Sequence, residues 1–174
     1  MRTAILRTGI IAIFAAAATL CTLGTVWAGE AQAPTDYTKI SPTDLVKNTP
    51  KGKLANPYKD TQADVVAQGS KDFQRYSCAG CHGGRAGGGM GPPLTNDIWI
   101  YGGDDDTLFR LVTLGSDQLQ KQGYTRTGQE HVVGPMMPFG TTIQNADDLW
   151  KILAFIRSKY SGDPGDKFGT PAAK

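Results

Sequence analysis

Three stretches of the chain carry apolar residues at three- and four-residue intervals, the period of a helix with one buried face. In the first, Val65, Val66, Gly69, Phe73 and Tyr76 share a face, which predicts a helix from Asp64 as N-cap to about Tyr76. Glycine in mid-helix costs about 1 kcal/mol relative to alanine. Gly69 is therefore either a close helix crossing or a tolerated surface position. In the second, Leu108, Leu111 and Val112, with Phe109, predict a helix from Asp104 or Asp105 to Leu114, ended by Gly115. The run Asp104-Asp105-Asp106 suits the positive end of that helix, and a metal or partner contact is its other reading. In the third, Asn145 is the N-cap and Asp147 and Asp148 fill the first turn. Leu149, Ile152, Leu153, Phe155 and Ile156 make the apolar face, and Arg157 and Lys159 sit at the negative end, near Tyr160. No strand and no internal repeat stands out, so the expectation is an all-α domain.

The segments between and beyond these helices differ in character. Residues 29–62 contain Pro34, Pro42, Pro50 and Pro57 and lack a sustained period. They read as an extended N-terminal arm, wrapped over the domain or without fixed structure. Residues 83–94 are dominated by glycine and suit a backbone that must bend tightly around a flat ligand. Residues 116–135 read as a long polar loop, with Lys121, Arg126, Glu130 and His131. Residues 161–174 read as a flexible tail.

The N-terminus changes the picture of where the domain resides. Arg2 and Arg7 precede an uncharged, alanine-rich run from Gly9 to Ala28, and Val26-Trp27-Ala28 is an acceptable cleavage site. Ala31-Gln32-Ala33 is a second candidate. Residues 1–28 are thus expected to be a secretory signal peptide, with an uncleaved anchor as the rival. Either reading puts residues 63–160 outside the cytoplasmic membrane, in the periplasm, with no membrane span after cleavage. Losing Arg2 and Arg7 leaves sixteen basic and sixteen acidic residues. A balanced mature chain offers no clustered basic face for nucleic acid.

The candidate chemistry sits in Cys78-Ala79-Gly80-Cys81-His82. This C-x-x-C-H spacing is the attachment signature of a c-type haem, with two thiols forming thioethers and the adjacent imidazole reaching the iron. Zinc would need about four ligands with free reach, which neighbouring Cys81 and His82 do not provide. A thioredoxin-like pair would need a βαβ setting, and a plain disulfide would leave His82 without a role. The chain has three cysteines, and Cys21 falls within the signal. Cys78 and Cys81 are then both taken by the haem, and no disulfide is expected.

An electron-transfer haem needs a second axial ligand opposite His82. Met90 lies too close to the motif, and His131 sits in a polar loop. The proline-stiffened segment Gly134-Pro135-Met136-Met137-Pro138-Phe139-Gly140 offers a thioether just before the last helix. Met136 is preferred and Met137 is the alternative. Methionine ligation raises the reduction potential. Trp99 and Tyr101 are ordinary core aromatics or hydrogen-bond donors to a haem propionate.

Residues 63–160 resemble the class I c-type cytochromes in Gly69 and Phe73, the C-x-x-C-H motif, Gly91-Pro92 with Leu94, a Met-Pro segment and the terminal helix Ile152–Arg157. The resemblance implies three to five helices wrapped around one covalent haem c. It also implies Phe155 packed across the Gly69 and Phe73 face, and a Pro92 carbonyl accepting from the second nitrogen of His82. A narrower stretch, Gly91 through Gly103, with the triple-aspartate helix start and the last helix, is similar to the cytochromes cL. More specifically, it is similar to those serving lanthanide-dependent (Xox-type) methanol dehydrogenases. That similarity implies a periplasmic electron carrier rather than an enzyme. It would take single electrons from a pyrroloquinoline quinone (PQQ) methanol dehydrogenase and pass them to a further cytochrome c or an oxidase. Some such relatives carry calcium; these residues neither predict one nor exclude it. The rivals are a general periplasmic shuttle for another dehydrogenase or oxidase, and a haem sensor or peroxidase with an open iron site.

Overall fold

The computed structural model describes residues 35–169; the expected signal peptide, the start of the arm at 29–34 and the end of the tail at 170–174 lie outside them. Among the described residues there are five helices and no strand: α1 Pro42–Asn48, α2 Ala63–Arg75, α3 Cys78–His82, α4 Asp105–Lys121 and α5 Ala146–Ser158. This is the all-α architecture of a class I cytochrome c.

The centre of the fold is the crossing of α2 and α5. A Cβ on Gly69 would fall on the Lys151 carbonyl and 3.0 Å from Phe155 Cβ, so the glycine marks a close crossing. Phe73 and Phe155 meet across it with ring centroids 5.4 Å apart. Behind α5, the fully buried Trp150 lies 4.1 Å from the Phe109 ring of α4. Leu149, Ile152, Leu153 and Ile156 complete the apolar face of α5 in one cluster with Leu108, Phe109 and Val112. Each such side chain contributes roughly 1.5–3 kcal/mol by leaving water.

Two of the helix starts follow the sequence closely. Asp104 accepts from the Thr107 amide at 2.9 Å and Asn145 from the Asp148 amide at 2.9 Å. The start of α2 differs: Gln62 occupies the N-cap and Asp64 lies in the first turn. Gln62 offers no cap bond to the helix, because its Oε1 turns back to accept from the Lys59 amide at 2.7 Å.

Four expectations are corrected. The arm is not simply extended between 35 and 62. It forms α1, where Pro42 occupies the first helical turn and so gives up no needed amide. Leu45, Val46 and Leu54 enter the core. The arm is fastened by buried Arg110, which donates to the carbonyls of Val46 (3.3 Å), Thr49 (2.7 Å) and Pro50 (3.1 Å). Gly115 interrupts α4 without ending it, and residues 116–121 are helical rather than loop. Leu119 draws them in by packing with Tyr101 and Tyr124.

The triple aspartate does three different things. Asp104 caps, Asp105 pairs with Arg157, and Asp106 accepts from Arg110 (2.8 Å), the Leu54 amide (3.1 Å) and Tyr124 (2.9 Å). Arg157 lies in the last turn of α5 as expected, and there it is buried against Asp105 and the Gly103 carbonyl. Finally, residues 161–169 pack on the domain. Ser161 donates to the Thr95 carbonyl at 2.6 Å, Lys167 pairs with Asp60, and the Phe168 ring lies 4.6 Å from the Arg157 guanidinium.

Candidate haem site

The site begins where α2 stops. The Tyr76 amide bonds back to the Asp72 carbonyl, and Ser77 takes a left-handed conformation (φ 61°). This turns the chain into the single turn of α3. Cys78 and Cys81 stand three residues apart on that turn, which places them on neighbouring positions of one face. Neither forms a disulfide; Cys78 is buried and Cys81 exposed. Burial pushes the Cys78 thiol up to about 11.

His82 is held as a neutral ligand should be. Its Nδ1 lies 2.9 Å from the Pro92 carbonyl oxygen. A carbonyl can only accept, so Nδ1 carries the proton and Nε2 keeps a free lone pair. Burial lowers the His82 pKa, against the smaller opposing effect of the Pro92 bond. The loop that delivers Pro92 folds back onto α3. Gly88 donates to the His82 carbonyl at 2.8 Å and Gly91 to the Cys81 carbonyl at 2.9 Å. These are the carbonyls a helix end leaves free. A Cβ on Gly91 would lie 3.0 Å from the His82 ring, so the backbone itself forms one wall of the imidazole pocket.

The remaining candidate residues separate clearly. Cys78 belongs to the main apolar cluster, and Ala79, Leu94, Trp99, Met136 and Phe139 pack against it. Trp99 lies flat on Tyr160, with centroids 5.5 Å apart and planes 2° apart. Its Nε1 is buried and has no hydrogen-bond partner among the described residues. A buried unpaired donor costs about 1–3 kcal/mol unless something accepts from it. Tyr101 stands instead in the smaller cluster, where its hydroxyl accepts from Gln120 at 2.7 Å. Met136 is half-buried, while Met137 is 66% exposed and Met90 63% exposed. His131 is exposed in the loop where Arg126 donates to the Glu130 carbonyl at 2.9 Å.

Two cysteines on one turn outside any disulfide, a neutral imidazole with one nitrogen occupied, and a buried indole N–H without a partner among the described residues fit a haem bearing anionic propionates. Among the described residues no group of three or more His, Cys, Asp or Glu is placed to hold a separate metal ion. Two features were not anticipated from sequence: the Tyr160 stack on Trp99, and Ser116, whose hydroxyl meets the Met136 backbone. Tyr160 carried a signal as an aromatic at the end of a helix; Ser116 carried none.

Residues 66–159 match the family described as Cytochrome c. The chain belongs to that family: it is an electron-transfer protein whose cofactor is covalent haem c. When bound, haem c supplies a one-electron couple between ferrous and ferric iron.

Among its relatives is the cbb3-type cytochrome c oxidase subunit FixP of Azorhizobium caulinodans. It is 31% identical over 144 residues, covering 78% of this chain and 45% of the relative. FixP of Bradyrhizobium diazoefficiens is 32% identical over 124 residues, covering 70% and 39%. The chain thus spans less than half the length of these curated relatives. Among solved structures, cytochrome CL from Methylophaga aminisulfidivorans MPT is 23% identical with a TM-score of 0.49, covering 81% of this chain and 77% of that one. No helix of the described residues is long and apolar enough to cross a membrane.

Proposed function

We propose that this chain is a periplasmic mono-haem carrier that accepts single electrons from a PQQ-dependent methanol dehydrogenase and passes them to a further cytochrome c or an oxidase. Residues 63–160 form the haem-binding unit, following a cleaved signal at 1–28. Cys78 and Cys81 form the thioethers, His82 Nε2 is the proximal ligand and Met136 the distal one. Trp99 Nε1 donates to a propionate, and Tyr101 is a core aromatic.

The observation that carries the carrier reading is the contrast in the Met-Met pair. One thioether faces the cluster that holds Cys78, and its neighbour faces solvent. A closed, six-coordinate iron suits electron transfer and disfavours ligand binding. The donor assignment is supported by the sequence from Gly91 to Gly103. The acceptor side has its own support, since the curated relatives above are named as oxidase subunits. That observation favours a second reading, a carrier serving an oxidase with some other donor.

Stopped-flow reduction of the oxidised holoprotein by a lanthanide-loaded methanol dehydrogenase separates the two. Methanol-dependent, saturable appearance of the ferrous spectrum is expected. Reduction by chemical reductants but not by the dehydrogenase would move the assignment to the second reading.

A further inference from the structure

The break in α4 lies directly beneath the Met136 segment. At Gly115 the backbone turns to φ 73° and ψ 165° and leaves the helix. In an unbroken helix the carbonyls of Val112 and Thr113 would accept from amides four residues on. Here they accept instead from Phe139 at 2.9 Å and Gly140 at 3.0 Å. The Ser116 amide, released by the same break, donates to the Met136 carbonyl at 3.0 Å, and the Met136 amide donates to Ser116 Oγ at 3.0 Å. Ser116 is 5% exposed. The fit leaves no space for a side chain at the break, since a Cβ on Gly115 would lie 2.7 Å from the Met136 carbonyl and 2.8 Å from the Pro138 nitrogen.

Met136 thus has both its backbone groups held by Ser116, the amide by its hydroxyl and the carbonyl by its backbone N–H, while Pro138 has no amide to give. We propose that Ser116 is the positioning residue for the Met136 thioether, clamping that residue's backbone to the break in α4. The inference rests on the reading of Met136 as the distal ligand. A neutral thioether is a weak ligand, so its occupancy of the iron depends on being held in place before it binds. Ser116 supplies that hold without touching the haem.

The test is displacement of Met136 by added imidazole in the purified ferric holoprotein, followed by loss of the sulfur-to-iron charge-transfer band. Imidazole enters only when Met136 has left, so its apparent affinity scales with the released fraction. Ser116→Ala removes the acceptor for the Met136 amide and is expected to raise imidazole affinity about tenfold. Ser116→Thr restores the hydroxyl and should bring the affinity back toward native. Gly115→Ala disturbs the same junction from the other side and should act in the same direction as Ser116→Ala. Val65→Ala weakens the core elsewhere and should leave imidazole affinity unchanged, which separates local release from general instability.

Native imidazole affinity in both Ser116→Ala and Gly115→Ala, with the band absent from Met136→Ala, would overturn the clamp and leave Met136 as ligand. A band that survives in Met136→Ala would overturn the ligand reading, and the clamp with it.

Discussion

The α2–α5 crossing and the two loops of the haem site are stabilised in different ways. At the crossing, Gly69 admits the Lys151 backbone, and Phe73 and Phe155 close over it. Shape and burial do the holding, and every partner is protein. In the loops 83–94 and 134–140, backbone amides bond to carbonyls exposed by the end of α3 and the break in α4. The apolar groups there, Leu94 and Met136, are only partly covered, as is nearby Trp99, whose N–H has no partner among the described residues. The loops are where the proposed haem would add its contacts. Substitutions in the two regions should therefore be read by different instruments, stability for the crossing and haem spectroscopy for the loops.

The sharpest break of that distinction is at the crossing. Gly69→Val drives a branched side chain into the Lys151 backbone and is expected to cost about 3 kcal/mol or more in denaturant unfolding. The ferric spectrum of the molecules that remain folded should stay native. Gly91→Ala is the counterpart in the loops. It should cost only about 1 kcal/mol in the same experiment, yet disturb the His82 ring it would press on. The readout is the haem spectrum and the reduction potential, and a change in stability alone would erase the contrast.

Two of the buried aspartates, Asp106 and Asp72, offer a finer comparison through pH. Burial alone would raise Asp106, but bonds from Arg110, the Gly52 and Leu54 amides and Tyr124 outweigh it and hold the carboxyl below its usual 3.8. Its ionised form favours the fold, so that stability is full above pH 3.8 and is lost as the pH falls through the lowered value. Asp72 moves the other way. Burial raises it, aided by nearby Asp148, despite the bond from Gln68 and the neighbouring Arg75. Its protonated form favours the fold, so the native state gains stability as pH falls from the raised value toward 3.8.

Asp106→Asn should therefore be less stable than native at neutral pH, with the deficit shrinking below pH 3.8. Asp72→Asn should be more stable at neutral pH, with the advantage fading on acidification. Urea midpoints across pH check both signs. The smallest effect belongs to Arg75, which pairs with Asp72 and Asp148 at 2.8 Å but is half-exposed. Arg75→Ala should change stability by under about 1 kcal/mol, falling further with added salt.

The same division explains what could be read from the chain. The apolar period of α2 and α5, the caps Asp104 and Asn145, and the C-x-x-C-H turn are local patterns written in neighbouring residues. Gly69 was legible as a choice between two readings, and the crossing decides it. What escaped were contacts between distant segments. Nothing near Pro42 announces that Arg110, more than sixty residues on, will collect three carbonyls of the arm. Arg157 is legible as a helix-end charge, but its partners Asp105 and Gly103 are brought to it only by the fold. Trp99 and Tyr101, equivalent by type and spacing, part only because Gln120 reaches one of them and Tyr160 covers the other. Gly115 signals an end of helix, but the return to helix depends on Leu119 finding Tyr101 and Tyr124.

The central claim, a closed haem that carries electrons rather than binding ligands, is tested most directly by exposing the ferrous holoprotein to carbon monoxide. With His82 and Met136 both in place, the ferrous spectrum should be unchanged at low carbon monoxide. Rapid, stoichiometric formation of a carbon monoxide adduct by the native protein would mean an open iron site, and would contradict the account.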